Sequence, residues 1–258
     1  MAGGVTYTAI VLAGSRPGRD ALAEQFGAEF KALIPIAGEP MVRRPVAALL
    51  ASESVGKIII LAQQPDRIAD VLPSDPRLSV QSSEGTIATT MLNLCHDPAQ
   101  QWPLLVTTAD QALLEPATVD EFCNRASGSD LAVGVVERVN LLRRFPQAKR
   151  TWLKFRGGAF TGANLFSLGS PRVASAIELW SSAENERKKG WRVIALLGPV
   201  VLVGTALRLL SIDEVLARLG QKLGLSVRAV RLSNPLAGVD VDKPEDHALV
   251  EAILAGRA

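Results

Sequence analysis

The sequence predicts an α/β fold in which a mostly parallel sheet is covered by helices on both faces, a three-layer α/β/α arrangement. Short apolar runs rich in β-branched residues recur along the first half of the chain, at residues 8–12, 57–62, 78–81, 104–108 and 130–136. Segments with helical spacing separate several of these runs. Strands that are apolar throughout and alternate with helices are typical of a parallel sheet buried on both faces.

The helices of the first half follow from the spacing of their apolar residues. Residues 40–51 place Met41, Val46, Leu49 and Leu50 where one helix face can bury them. Further helices are predicted between the strands, near residues 66–71, 86–94 and 116–126. Each predicted strand is therefore followed by a covering helix in most of this half.

The second half begins with a polar, basic segment at residues 139–158, which indicates an insertion over the sheet. A strand is predicted at 163–168 and another at 227–232. Helices are predicted at 171–184, at 212–223 and from Pro244 to the end. We expect residues 1–258 to form a single domain, with 139–225 as an insertion and helical region within it.

Composition excludes several classes of protein. With 48% apolar and 21% charged residues, the chain of 258 residues is too hydrophobic to be disordered. A net charge of +2 argues against a protein that binds the nucleic-acid backbone. Cys95 and Cys123 lack zinc-site spacing, and the first residues lack the pattern of a secretory signal. These features predict a cytoplasmic protein.

Residues 193–207 form a run of fifteen residues without a charge. The run is shorter than the roughly 20 residues that span a bilayer, and Gly198 and Pro199 interrupt it. Core packing or a homodimer contact is the expected role. The alternative is a peripheral membrane contact through 187–210, because a basic cluster precedes the run: Arg187, Lys188, Lys189 and Arg192.

The first predicted strand ends in a loop of small residues. Ligands of open parallel sheets collect beyond the carboxyl ends of the strands, and small residues there let backbone N–H groups approach phosphates. The loop comprises Leu12, Ala13, Gly14, Ser15 and Arg16. With Lys31 downstream, these residues predict a triphosphate site, although an ordinary turn with solvated charges would have the same composition.

The same loop carries a resemblance to a known family. Leu12-Ala13-Gly14, the nearby Arg16, and the segment from Lys31 through Gly38 to Met41 resemble the opening signature of the MobA-like nucleotidyltransferases, which have the Rossmann-like glycosyltransferase-A fold. The resemblance implies that the loop wraps a nucleoside triphosphate and that Lys31 contacts its phosphates. Ser15 departs from the pattern, since a second glycine is common there.

A second element follows the strand at 78–81. Gln81, Gly85 and Thr86 resemble the segment with which uridylyltransferases of this fold hold the base. Thr86 is equally well placed to cap the next helix without any ligand. The element slightly favours CTP or UTP over GTP.

Two carboxylate elements predict a metal site. Asp110 follows the strand at 104–108, and the resemblance makes it a magnesium ligand, with a second ligand near the C-terminus. Asp240 fits that role, and alternation along an extended segment places Asp242 on the same side. Mg²⁺ prefers one or two carboxylates together with phosphate oxygens, so Asp110 and Asp240 are the expected pair.

The basic segment predicts where the acceptor binds. Its cations would offset the repulsion between a phosphorylated acceptor and a triphosphate, although most of them fit a solvated loop equally well. They are Arg138, Arg143, Arg144, Lys149, Arg150, Lys154 and Arg156. We expect Lys154, and Asn164 in a segment that resembles the acceptor wall of the family, to contact the acceptor, either a small molecule or a lipid head group.

The sequence thus predicts a Mg²⁺-dependent nucleotidyltransferase that joins a nucleoside monophosphate to a phosphorylated acceptor and releases pyrophosphate. Arg16, Lys31, Asp110 and Asp240 are the predicted catalytic residues. One alternative is a nucleotide-binding regulatory protein without turnover, although binding alone would not need two carboxylates. A glycosyltransferase of the same fold is another, but its Asp-x-Asp lies mid-chain, whereas the Asp-x-Asp here is at 240–242.

Overall fold

A computed structural model describes residues 6–14, 20–83, 85–181 and 199–257. Within these ranges the strands, in chain order, are β1 (Tyr7–Leu12), β2 (Pro35–Ile36), β3 (Glu39–Pro40), β4 (Val55–Ala62), β5 (Leu78–Ser82), β6 (Leu104–Thr108), β7 (Leu131–Glu137), β8 (Leu153–Phe155), β9 (Gly158–Leu168) and β10 (Val227–Arg231). The main sheet has the order β10-β7-β9-β6-β1-β4-β5, and β8 pairs with β9. Strand β9 is antiparallel to β6, β7 and β8, whereas the other neighbours in the sheet are parallel.

Helices cover both faces of this sheet, as predicted. Those described are α1 (Ala21–Gln25), α2 (Arg43–Ala51), α3 (Pro65–Ala69), α4 (Ile87–His96), α5 (Pro116–Ala126), α6 (Arg138–Arg144), α7 (Ala174–Ser181), α8 (Pro199–Ala206), α9 (Ile212–Leu223) and α10 (Pro244–Leu254). Alternation along β1 shows the three layers, because Ala9 and Val11 pack into one buried cluster and Ile10 into another. The predicted fold class is confirmed.

Two elements differ from their predicted bounds for visible reasons. The helix predicted at 40–51 begins at Arg43, because residues 39–40 pair with 35–36 in the β2–β3 hairpin. The strand predicted at 163–168 begins at Gly158 and lies between β6 and β7. The region predicted as an insertion therefore contributes a strand to the interior of the main sheet as well as helices over it.

The apolar region near residue 200 is described from Pro199 onward, where it forms α8. Leu210 is buried, whereas Val203, Leu207 and Leu209 are each more than half exposed. Arg187, Lys188, Lys189, Arg192 and residues 193–198 lie outside the described residues. Among the helices that are described, none has the length and apolar character needed to cross a membrane.

Candidate active site

The site begins where two parallel neighbours, β1 and β6, end. The Ala109 N–H donates to the Leu12 carbonyl at 3.0 Å, and the Ala13 N–H donates to the Leu61 carbonyl at 2.9 Å. These bonds fix the small-residue loop beside Asp110. At Gly14 an added Cβ would lie 2.8 Å from the Gln63 side-chain amide, so glycine permits this close approach. Ser15 and Arg16 lie outside the described residues.

Lys31 lies between two carboxylates. It opens a 3₁₀ turn, Lys31–Leu33, and its Nζ donates to Asp110 Oδ2 and Asp242 Oδ1, each at 2.6 Å. Burial alone would lower the pKa of this ammonium, but attraction to Asp110 and Asp242 outweighs burial and raises the pKa above its usual value. The ion pairs therefore favour the charged form of Lys31.

Asp240 is brought to the same place by the chain after β10. A 3₁₀ turn, Pro235–Gly238, packs closely on the sheet, since a Cβ at Gly238 would lie 3.1 to 3.2 Å from three side chains. The Val241 N–H then donates to the Asp110 carbonyl at 3.2 Å. This backbone bond sets the two predicted metal ligands side by side.

Both oxygens of the Asp240 carboxylate accept hydrogen bonds. Oδ2 accepts from the Asn164 amide at 3.1 Å, and Oδ1 accepts from the Arg150 guanidinium. Burial, and next the negative charges of Asp242 and Asp110, raise the pKa of Asp240 to about 6, although Arg150 and Lys31 oppose the shift. The carboxylate is thus held in place while its charge remains incompletely compensated.

Arg150 connects Asp240 to the closing helix. Its Nη2 donates to the Asp240 carbonyl at 3.1 Å and pairs with Asp246 Oδ1 at 3.0 Å. The other oxygen of Asp246 accepts from the backbone N–H groups of Asp242 and Lys243 at the start of α10. Asp246 therefore caps the helix and also holds Arg150.

The predicted base element lies at the end of β5. Thr86 caps α4 by accepting from the Thr89 N–H at 3.2 Å, and Gly85 has a φ of 83°, in the region that favours glycine. Gln81 is exposed and helps to line a cavity of about 310 Å³ between the end of β5 and α4. The capping role of Thr86 is confirmed, and the contacts of Gln81, Gly85 and Thr86 with a base stay predictions.

The two predicted acceptor residues occupy different surroundings. Asn164 lies on β9 with a φ of 48°, an uncommon value for a residue other than glycine, and its amide already donates to Asp240. Lys154 lies on β8 and is exposed. Within the described ranges no hydrogen bond or ion pair links Lys154 to the carboxylates. The structure thus brings Lys31, Asp110, Asp240 and Asn164 together, and leaves Lys154 apart from them.

Three residues of the cluster were not singled out by sequence reasoning as functional. Thr108 donates to Asp110 Oδ1, and Arg150 and Asp246 make the contacts described above. Asp242 had been marked by the alternation at 240–242, which predicts that it faces the same cation as Asp240. Arg150 had only membership of a segment with seven cations, and no local pattern separates it from the other six.

Lys31 and the carboxylates lie beside the small-residue loop at the carboxyl ends of parallel strands, where open α/β sheets bind their ligands. The family model of the MobA-like NTP transferase domain matches residues 9–200. The chain belongs to this family, and the predicted enzyme class, nucleotidyltransferase, is confirmed. The roles of the individual site residues stay predictions.

Solved structures agree with this family. A hypothetical transferase from Thermus thermophilus is 31% identical, with a TM-score of 0.76, over 94% of this chain and all of the other. The 4-diphosphocytidyl-2C-methyl-D-erythritol synthase of Anaerococcus prevotii shares the fold at 12% identity, with a TM-score of 0.61, 98% of this chain and 97% of that one being covered.

A CMP:2-keto-3-deoxy-manno-octonic acid synthetase, solved with CTP, shares the fold at 11% identity and a TM-score of 0.58 over 98% of this chain and all of that one. Among curated proteins no sequence gives a significant match.

Proposed function

We propose that this chain is a Mg²⁺-dependent nucleotidyltransferase that transfers a nucleoside monophosphate from CTP or UTP, in preference to GTP, to a phosphorylated acceptor and releases pyrophosphate. The observation that carries the proposal is the cluster around Lys31. Four carboxylates, those of Asp110, Asp240, Asp242 and Asp246, meet two cationic side chains, Lys31 and Arg150. Among the described residues, the carboxylates of this cluster outnumber its cationic side chains.

The donor set fits a magnesium ion. Asp110 and Asp240 offer the hard oxygen ligands that Mg²⁺ prefers. In the described part of the chain, no group of three or more His, Cys, Asp or Glu side chains is arranged to hold a metal. A site of this kind suits Mg²⁺, which usually takes few protein ligands and completes its shell with water and substrate phosphates.

The residues present would divide the work of nucleotide transfer as follows. The acceptor's phosphate oxygen forms a bond to the α-phosphorus while the bond between that phosphorus and the oxygen leading to the β-phosphate breaks, and pyrophosphate leaves with the electron pair. On nucleotide binding, the Lys31 ammonium would release one of its carboxylate partners and donate to a phosphate oxygen of the nucleotide. Bound Mg²⁺ would supply neutralisation of the phosphate charge. Asp110 and Asp240 would hold and orient the cation.

No side chain needs to act as a nucleophile in this reaction. An acceptor phosphate monoester is largely dianionic above pH 7, so no general base is needed to remove a proton from it. Catalysis then depends on positioning the two substrates and on neutralising their charges. Both tasks suit the fixed cluster of Lys31, Asp110 and Asp240.

The preference for a pyrimidine nucleotide rests on Gln81, Gly85 and Thr86, and is supported by two structural neighbours whose names refer to cytidyl transfer or CTP. The preference for a phosphorylated acceptor rests on the basic segment at 138–156. A cytoplasmic location stays an expectation of the sequence. The identity of the acceptor is not part of the proposal.

One experiment tests the proposal. The purified chain is incubated with each of the four NTPs, Mg²⁺ and a panel of phosphorylated sugars, polyols and cofactor precursors, and pyrophosphate release is measured. Acceptor-dependent release with CTP or UTP is the expected result. Nucleotide binding without pyrophosphate release from any acceptor would favour the regulatory alternative. In a parallel incubation with nucleotide sugars, release of a nucleoside diphosphate would favour a glycosyltransferase.

A further inference from the structure

The most deeply placed contact between the basic segment and the carboxylate cluster is made by Arg150. Its side chain is only 7% exposed, although it comes from the loop between α6 and β8, where most other side chains face solvent. Burying a guanidinium is unfavourable unless it is paired on several sides. An arginine kept in such a place has a task that a surface cation could not perform.

The geometry of Arg150 identifies that task. One guanidinium group contacts the Asp240 carboxylate, the Asp240 carbonyl and the Asp246 carboxylate. It therefore fixes both the side chain and the backbone of Asp240 against the start of α10. A planar, forked donor can do this, whereas the single ammonium of lysine cannot span three acceptors in one plane.

Asn164 completes the clamp from the opposite side. Its amide donates to Asp240 Oδ2, while Arg150 donates to Oδ1. Each carboxylate oxygen carries two lone pairs, so a cation can still be bound beside these donors. Groups that orient a metal ligand in this way typically change metal affinity 10- to 100-fold when they are removed.

The geometry points to Arg150 as the positioning residue for Asp240: it holds this carboxylate in the orientation that binds the divalent cation, and links the cation site to the acceptor-side segment. The inference rests on the proposed function, because it assigns the second metal ligand to Asp240. It adds a residue that no pattern in the sequence distinguishes. Arg150 touches neither substrate in this role and acts through Asp240.

Direct binding of Mn²⁺, used as a spectroscopic substitute for Mg²⁺, tests the inference. Binding is measured by electron paramagnetic resonance on the full chain, with Mn²⁺ alone and with Mn²⁺ plus pyrophosphate. We expect Arg150→Ala to weaken Mn²⁺ binding about 10-fold or more. Arg150→Lys keeps the charge but not the fork, and should remain at least about 5-fold weaker than the unaltered chain.

Arg77 provides the matched control. It also joins an aspartate, Asp75, to a backbone carbonyl, that of Leu50, but it precedes β5 at the other edge of the sheet. Arg77→Ala should leave Mn²⁺ affinity within about twofold, since no cation ligand depends on it. If Arg150→Ala does not fold, Asp246→Asn is the second variant, because it removes one anchor of Arg150 while an amide oxygen can still cap α10. It should weaken Mn²⁺ binding by a smaller factor.

The outcomes separate the two proposals. Unchanged or tighter Mn²⁺ binding in a folded Arg150→Ala chain would overturn the inference, and tighter binding would identify Arg150 as a competing cation instead. Lysine restoring full affinity would also overturn it. Failure of the unaltered chain to bind Mn²⁺ would overturn it together with the metal site. Mn²⁺ binding that depends on Arg150, in a chain that releases no pyrophosphate from any NTP, would contradict only the proposed function.

Discussion

Asp240 lies beyond the carboxyl ends of the strands and Asp130 at the amino end of β7, and the surroundings of the two carboxylates differ in kind. Asp130 directly precedes β7 and accepts from the Ser226 N–H at 2.8 Å and the Ser226 hydroxyl at 2.9 Å. These two bonds, backbone first, lower the pKa of Asp130 below its usual value. Asp240 lies beyond the carboxyl ends of the strands, where burial and the neighbouring Asp242 and Asp110 raise its pKa to about 6.

The two aspartates differ in what surrounds the ionised carboxylate. Donors surround Asp130, so its ionised form is stabilised by the protein itself and ties β10 to β7. Arg150 and Asn164 donate to the two oxygens of Asp240, but burial and two neighbouring carboxylates outweigh them and act against its ionised form. A carboxylate whose ionised form is disfavoured by burial and by neighbouring carboxylates is typical of a functional site. A carboxylate whose ionised form is stabilised by hydrogen-bond donors is typical of a structural position.

The largest expected effect is a loss of activity when an aspartate beyond the carboxyl ends of the strands is replaced. Replacing the aspartate at the amino end of β7 should cause no such loss. Asp110→Ala and Asp240→Ala should each reduce pyrophosphate release on the order of 100-fold or more, because the cation loses a ligand where phosphate charge must be neutralised. The variants should keep their circular dichroism spectra. Asp130→Ala is the matched control at the other end, and its turnover should equal that of the unaltered chain. Full activity in either site variant would refute the assignment of the metal ligands.

The cation of the cluster gives the next largest effect. Lys31→Ala should weaken NTP binding or slow transfer by roughly 10- to 100-fold, since a hydrogen bond to a charged group contributes about 1.5–3 kcal/mol. Nucleotide titration calorimetry and initial rates measure the two possibilities. Lys57, an exposed lysine on β4, is the control, and Lys57→Ala should change neither. Unaltered affinity and rate in Lys31→Ala would make the lysine a purely structural partner of Asp110.

Sequence reasoning found the part of the site that is encoded locally. Asp110 closely follows an apolar strand, and Lys31 opens the segment through Gly38 to Met41 that resembles the family signature. Each is therefore marked by its neighbours in the chain. The order of strands and helices also predicts that ligands collect beyond the carboxyl ends of the parallel strands. The alternation at 240–242 correctly placed Asp240 and Asp242 in one cluster.

The remainder of the site depends on contacts that the chain makes across long separations. Arg150 and Asp240 are 90 residues apart in sequence, and the segment around Arg150 offers no feature that selects it. Asn164 was predicted to contact the acceptor, but which group its amide faces is decided by the register of β9 between β6 and β7. A single sequence shows that a strand exists and does not show its partners.

The raised pKa of Asp240 makes the stability of the folded chain depend on pH. The folded chain binds the Asp240 proton more tightly than the unfolded chain does, so stability is lost as pH rises from about 4 to about 6. Relative to Asp240→Asn, the unaltered chain should lose on the order of 2 kcal/mol of unfolding free energy over this interval. Urea unfolding without divalent cations measures it. A difference between the two chains that does not vary with pH would contradict the raised pKa.

Asp130 is expected to give the smallest effect. Its contribution to the unfolding free energy changes with pH in the opposite direction to that of Asp240. Because its pKa is lowered, Asp130 stabilises the folded chain above the unfolded pKa of about 4, and this contribution is lost as pH falls through the lower, folded pKa. Asp130→Ala should therefore cost about 1 kcal/mol of unfolding free energy near pH 7, because the carboxylate is partly exposed and its two bonds from Ser226 are only partly protected from water.

The loss in Asp130→Ala should shrink in urea unfolding as pH falls below about 4, where the carboxylate of the unaltered chain also becomes protonated. Ser226→Ala removes the hydroxyl, one of three donors to this carboxylate together with the Ser226 N–H and Arg172. It should reproduce part of the effect, while pyrophosphate release stays unchanged in both variants. A loss in Asp130→Ala that grows towards low pH would mean that the carboxylate is not held by these donors. The protein would then not stabilise the ionised form of Asp130 more than that of Asp240.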